Sequence, residues 1–262
     1  GFQSLADMVN GTAKQKTPVD YVLCQTVSDV ENMMDTIRAA CGKGAVLAYD
    51  FETQGTNPYR VHSDTKASEP FQDISVVGED GYLRTNLLTV AFSVEENSGW
   101  CVPLFHKDAP WIGEDEFEHV VTLVAGLIQD PDVRKVAQNA QFEIAWAKVF
   151  LGCETGGLVA DTQLDQHLLD ENADNGLKSM SRRYTDCGGY EDEVADKIER
   201  LAETPLKEFW RYNVTDTDVT LRVLNLFNQK FAEEPRLLPM REMTLGFMHG
   251  VGRVYEAGVH VN

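Results

Sequence analysis

The hydrophobic period changes along the chain, and that change restricts the fold more than any other feature of the sequence. In the first hundred or so residues, short apolar runs at 45–51, 87–94 and 100–104 have the length and bounding turn residues of strands, and Glu96, Asn97, Ser98 and Gly99 read as the turn joining the last two. One helix precedes them over 28–40, with Val30, Met33, Met34 and Ile37 on one face and Ser28 and Glu31 at capping-box spacing. The middle alternates: a helix over 115–129 that buries Phe117, Val120, Val124, Leu127 and Ile128 and stops at Asp130-Pro131, a strand over 134–137, a helix over 141–150, and a short strand over 158–160. Beyond Asp161 the pattern is helical over 162–170, 176–184, 191–202, 205–231 and 237–257, with Thr204 and Pro205 as cap and first residue of the fourth of these. Strands first, alternation next and helices last is the order of an α/β protein: a mixed sheet flanked by helices, with a helical C-terminal part.

Two stretches fall outside this pattern. Residues 1–20 are polar and aperiodic and are expected to be a poorly ordered lead-in. Residues 54–84, rich in Gly, Asn, Ser, Asp and Pro, are expected to form a surface excursion. No run of apolar residues is long enough to span a bilayer, so no membrane partner is expected. The first residues lack a signal-peptide core, and the five scattered cysteines read as reduced thiols, so the expected compartment is the cytoplasm. The six histidines do not pair at metal-ligand spacing. A net charge of −19 argues modestly against tight, non-specific nucleic-acid binding and leaves room for a site at which cations carry the positive charge.

Three places hold residues suited to chemistry. Asp50 and Glu52 lie two apart at the end of an apolar run, so in a strand both carboxylates share a face with Phe51 on the other. Hard divalent cations bind such oxygen pairs, although a solvated strand end has the same pattern. Asn139 to Glu143 follow a strand and open a helix; Asn139 suits the N-cap, and Glu143 falls in the first turn, aimed back at the sheet. Tyr212 and Asp216, four apart, share a helix face, either as a packing-seam hydrogen bond or as a metal-binding carboxylate beside a water-positioning phenol. Asp218 points elsewhere and is expected on the surface, as are Arg182 and Arg183. Asp161 heads a helix as its N-cap.

In this order and these contexts the three places resemble the DEDDy 3′→5′ exonucleases, most closely the proofreading domain of bacterial and phage family A DNA polymerases (DNA polymerase I-like, phage relatives in particular). The segments 161–172 and 176–184 also resemble the stretch between the second and third motifs in phage enzymes, so the likeness runs over about residues 20–235. The resemblance implies a ribonuclease H-like fold and two divalent cations, Mg2+ or Mn2+, about 3.5–4 Å apart. It makes Asp50, Glu52, Glu143 and Asp216 the metal ligands, with Glu143 acting through a water, and it gives Tyr212 the nucleophile to orient. It implies a single-stranded DNA 3′ end as substrate, with Thr53, Asn139 and Phe142 as candidate contacts; a strand-end hydroxyl for Thr53 and a core aromatic for Phe142 are the alternatives. Residues 21–235 would form the exonuclease domain, and 236–262, ending Gly258-Val-His-Val-Asn262, would be the start of a truncated polymerase module. Two departures stand out: Glu143 where the family usually has Asp, and the length of the 54–84 loop. The competing expectations are an exonuclease-like domain that only braces a polymerase, and an exoribonuclease resembling RNase D.

Overall fold

The computed structural model describes residues 17–68 and 76–257. Most of the expected lead-in, the centre of the 54–84 excursion and residues 258–262 lie outside the described residues. Six strands build the main sheet: β1 (Asp20–Leu23), β2 (Leu47–Gln54), β5 (Asn86–Ser93), β6 (Ser98–Pro103), β7 (Lys135–Ala137) and β8 (Leu158–Asp161), in the spatial order β1-β6-β5-β2-β7-β8. β5 runs antiparallel to both β2 and β6, while β1–β6, β2–β7 and β7–β8 pair in parallel, so the sheet is mixed as expected. The shorter strands β3 (His62–Lys66) and β4 (Tyr82–Arg84) form a separate antiparallel ribbon inside the excursion.

The alternation of β2 decides how the layers assemble. Leu47, Tyr49 and Phe51 join the core made with helices α1 (Val27–Cys41) and α2 (Gly113–Gln129), which contribute Val30, Met34 and Ile37, and Val120, Val124 and Leu127. Ala48, on the other face, packs with Val136 and Ala160 against Leu221 and Leu224 of the long helix α6 (Trp210–Glu233). Small residues on this face let α6 lie close to the sheet, and Gly99 of β6 belongs to the same design. A Cβ there would stand 2.5 Å from Ser93 Oγ and 2.6 Å from Val214 Cγ1. Since Asp50 and Glu52 follow Ala48 at period two, the β2 pattern turns both carboxylates toward α6.

The remaining helices are α3 (Ala140–Trp146), continued by a π turn over Ala147–Leu151, α4 (Thr162–Leu169), α5 (Leu177–Tyr184) and α7 (Leu238–Ala257). Arg241 fastens α7 to α4 through Asp165, at 2.8 and 2.6 Å. All five cysteines are free thiols, and among the described residues no helix is long and apolar enough to cross a membrane.

Several expectations need correction. The cap of α1 is Thr26, whose hydroxyl accepts the Asp29 N–H while Asp29 reaches back to the Thr26 N–H, so the box sits two residues before Ser28 and Glu31. The helix expected over 191–202 is a series of 3-10 turns, Tyr190–Glu193 and Ile198–Arg200. Its backbone is diverted: Gln54 Nε2 donates to Glu199 O at 2.8 Å and Gln54 Oε1 accepts from Ala202 N at 3.2 Å. Likewise α6 starts at Trp210, not at Pro205, because His106 takes the carbonyls of Leu201 and Thr204 and Asp108 takes the Leu206 N–H. The 54–84 excursion is not merely a surface loop. Val76 and Leu83 are buried in a second apolar cluster with Leu88, Val194, Leu201, Leu206 and Phe209.

Candidate active site

The carboxylates of Asp50, Glu52 and Asp216 converge: one oxygen from each lies within 4.8 Å of the others. Asp50 and Glu52 come from the shared face of β2, which runs on to Gln54 and so places them inside the strand, with a register shift between Glu52 and Thr53. Asp216 comes from the second turn of α6, pressed onto that face. Glu143, in the first turn of α3, is buried and reaches the same strand from its side, its Oε2 accepting the Phe51 N–H at 3.1 Å. Glu143 thus approaches the other three, held by a backbone donor of the residue between Asp50 and Glu52.

Burial raises all four carboxylates above the usual carboxylate range. For Asp50 the next cause is Asp216; for Glu52 it is Asp50, and for Glu143 it is again Asp50 followed by Glu52. Asp216 is pushed up to about 7 by burial, with hydrogen bonds from Tyr190 and Tyr212 working in the opposite direction. Among the described residues the exposed Lys178 supplies positive charge to Glu52 and Asp216. Buried Glu52, Glu143 and Asp216 and half-buried Asp50, held this close, are costly unless they are protonated or share a metal ion. Oxygen-only donors of this kind fit Mg2+ or Mn2+, whereas zinc favours nitrogen and sulfur.

Asn213 positions the cluster, a role the sequence reading passed over. Its Nδ2 donates to Asp50 Oδ2 at 2.9 Å, and its Oδ1 accepts from Thr89 Oγ1 at 2.9 Å. One turn further on, Thr217 meets Ser93 at 2.8 Å. The signal was present as polar Thr89 and Ser93 in the apolar run that follows Asn86, facing polar residues four apart on a helix. Tyr190 was also passed over; its hydroxyl donates to Asp216 Oδ1 and its ring is tilted at 30° against Tyr212, 5.6 Å away. Its only cue was an aromatic residue directly after Gly188-Gly189.

The other expected residues fall as follows. Thr53 and Phe142 line a cleft of about 460 Å³ together with Glu52, with Arg60 and His62 of the excursion and with Glu199. The Thr53 hydroxyl donates to Gly55 O at 2.8 Å, and the Phe142 ring leans on Trp146. Asn139 does precede α3, but in the left-handed conformation (φ 58°) and without a capping hydrogen bond from its side chain. Asp161 does that work, accepting the N–H groups of Asn139 and Ala140 at 3.2 and 2.8 Å while also capping α4 through Gln163 and Leu164. Asp218 is fully buried rather than on the surface, accepting from the Tyr21 hydroxyl at 2.6 Å and paired with Arg222 at 2.8 Å. Arg182 pairs with the buried Glu191 and with Asp192.

Comparison with known proteins agrees with this architecture. The DNA polymerase of Escherichia phage T5 is 28% identical over 255 residues, covering 90% of this chain and 26% of that protein. The chain spans about a fifth to a quarter of the length of the curated relatives it matches. Among solved structures, NrnC of Brucella melitensis with bound Mg2+ superposes with a TM-score of 0.60 at 14% identity, covering 92% of this chain and 95% of that one. RNase D of Escherichia coli superposes with a TM-score of 0.59 at 13% identity, over 90% of this chain and 51% of that one. These likenesses establish the expected ribonuclease H-like fold. The family model for the 3′-5′ exonuclease of A-type DNA polymerases matches residues 78–232, more than half of the sequence, and the chain belongs to that family.

Proposed function

We propose that this chain hydrolyses phosphodiester bonds at single-stranded DNA 3′ ends and is the proofreading part of a family A DNA polymerase. The observation that carries this reading is the convergence of Asp50, Glu52 and Asp216 beside Tyr212 in a chain of this exonuclease family. Asp50, Glu52 and Asp216 would hold divalent cations, with Glu143 completing the set through a water. Bound there, such cations supply an activated water at neutral pH and offset the charge of the carboxylates and of the incoming phosphate.

The protein's own groups do the rest. Burial, followed by the neighbouring Asp216, Glu52 and Asp50, holds the Tyr212 phenol far above its usual range, so it stays protonated and serves as an orienting donor rather than a base. Asn213 fixes Asp50 so that the acid cannot swing away from its neighbours. Thr53 and Phe142 stand where the terminal nucleotide would lie, with an aromatic face for its base. As water adds to phosphorus, the bond to the preceding 3′ oxygen breaks and a nucleoside monophosphate leaves. Exposed Met240, Met243 and Phe247 on α7, spaced three and four apart, fit a helix that continues into a polymerase module.

End-labelled single-stranded DNA incubated with Mg2+ or Mn2+ should be shortened from its 3′ end, and a chelator should stop the reaction. No shortening under any metal condition would leave a domain that only braces a polymerase. The likeness to RNase D favours one further reading, an exoribonuclease. An RNA strand of the same sequence, cleaved faster than the DNA, would establish it.

A further inference from the structure

Asp216 faces a mechanical difficulty. Its carboxylate points at Asp50 and Glu52, and like charges this close push it toward a rotamer facing away. Asp50 is anchored by Asn213 and Glu143 by the Phe51 N–H. For Asp216 the principal anchor is Tyr190, whose hydroxyl donates to Oδ1, with Tyr212 adding a lesser hydrogen bond.

Tyr190 is itself placed independently of Asp216. It opens the turn Tyr190–Glu193, entered through Gly189 at φ +90°, a conformation that L side chains rarely adopt. The next residue, Glu191, is buried and bound to Arg182 of α5 at 2.5 Å. The Tyr190 ring rests against Tyr212, its centroid 5.6 Å away. A donor held from three sides is suited to fixing a carboxylate's direction, because its own position does not follow the carboxylate.

We propose that Tyr190 is a positioning residue for Asp216: its hydroxyl holds the carboxylate on the rotamer that faces Asp50 and Glu52, and so sets the affinity of the cluster for a divalent cation. This rests on the reading of the three carboxylates as metal ligands. Outer hydrogen-bond partners that orient metal ligands typically contribute about 10–100-fold in metal affinity. Tyr190 and Tyr212 then divide the labour, although their rings touch. Tyr190 acts chiefly on the ligand and governs how tightly the cation is held; Tyr212, whose hydrogen bond to Asp216 is the lesser one, acts chiefly on the nucleophile and governs the rate once the cation is there.

The test is Mn2+ titration followed by the electron paramagnetic resonance signal of the free ion, which needs no substrate or turnover. Four proteins are compared: the parent, Tyr190→Phe, Tyr212→Phe and Asp216→Asn. Tyr190→Phe keeps the ring against Tyr212 and should weaken binding by about 10–100-fold. Cleavage by that variant should fall at limiting Mn2+ and be largely restored at saturating Mn2+, a shift in metal requirement more than in kcat. Tyr212→Phe, which removes only the lesser hydrogen bond to Asp216, should lose clearly less affinity than Tyr190→Phe and remain slow at any metal concentration. Should Tyr190→Phe prove misfolded by circular dichroism, Gly189→Ala, which strains the same turn, should show the same loss of affinity. Parental or tighter binding by the folded Tyr190→Phe, or by Gly189→Ala in its place, overturns the proposal. Equal binding by Asp216→Asn and the parent would remove the metal-site reading itself, and this inference with it.

Discussion

The site is built by two unlike regions. One is regular: β2 and α6 carry Asp50, Glu52, Asn213 and Asp216 on repeating backbones whose face-to-face packing is set by Ala48, Gly99, Leu221 and Leu224. The other is irregular: the β3–β4 ribbon and the turns over 190–209 form the mouth, held by a smaller apolar cluster and by side chains that capture backbone groups, chiefly Gln54, His106 and Asp108. The regular region holds buried like charges in place, which demands stiffness. The irregular region bounds the cleft that would receive substrate, and its stability is local. Substitutions in the first should therefore alter chemistry at constant fold, while those in the second should alter access and local order.

The sharpest way to break this contrast is Asp50→Ala. Metal-assisted activation accounts for several kcal/mol of barrier, and each 1.36 kcal/mol is tenfold in rate. Cleavage should drop below about one-thousandth of the parent, while circular dichroism and thermal unfolding show an intact fold. Parental cleavage would remove β2 from the chemistry.

Glu143 comes next, because it sits on α3 outside the β2–α6 pair and reaches the strand by one hydrogen bond to Phe51 N. Glu143→Ala should reduce cleavage by about 10²-fold, the cost of misplacing a positioned group. Glu143→Asp, one methylene shorter but matching the usual family residue, should keep the parental rate or exceed it. If Glu143→Ala cleaves as the parent does, Glu143 is a strand-end brace, and the regular region works with three acids.

The same division explains what was legible in the sequence. Period-two alternation in 47–52 and helical spacing around 212–216 gave both the elements and the facing of Asp50, Glu52, Tyr212 and Asp216, because in regular structure neighbours in space are a fixed count apart in sequence. The mouth follows no such count. Gln54 and Ala202 are 148 residues apart, and nothing in the stretch 191–202 reveals that its Glu199 carbonyl and Ala202 N–H are taken from a helical ladder. Apolar residues at 194 and 201 suit a helix as well as they suit turns wrapped over Leu83. Asn139 illustrates the same limit: the residue type suits a cap, but a carboxylate from Asp161, 22 positions away, reaches the helix end first. The burial of Asp218 was missed likewise, since its partners Tyr21 and Asn97 come from the far edge of the sheet.

A third prediction addresses the mouth. Gln54→Ala leaves Glu199 O and Ala202 N without the partner that holds them, at a cost of about 1–3 kcal/mol for unsatisfied buried groups. Limited proteolysis should then cut within 190–209 earlier than in the parent, and KM for single-stranded DNA should rise more than kcat falls. Unchanged cleavage sites and unchanged KM would show that this layer is as rigid as the sheet.

The smallest expected effect tests the electrostatic side of the comparison. In the metal-free protein, burial raises Asp216 from 3.8 to about 7 and raises Asp50, Glu52 and Glu143 as well. Between those two values folded Asp216 retains a proton that the unfolded chain has released, so stability must decrease as pH rises through this window, and the raised Asp50, Glu52 and Glu143 act in the same direction. Divalent cations bind the ionised carboxylates, so their stabilising effect should grow over the same range. At about a hundredfold excess over Kd a ligand adds about 2.7 kcal/mol, which for a domain of this size is about 5–10 °C in Tm. The measurement is Tm at pH 5 and pH 8, with Mn2+ and with chelator. The gain from Mn2+ should be small at pH 5 and near its full value at pH 8. Asp50→Asn removes one titrating group from the cluster, so its metal-free form should be no less stable than the parent at pH 8, with a shallower slope between the two pH values. A parental pH slope in Asp50→Asn would mean that the cluster is already solvated, and that β2 and α6 hold their carboxylates no more tightly than the turns hold the mouth.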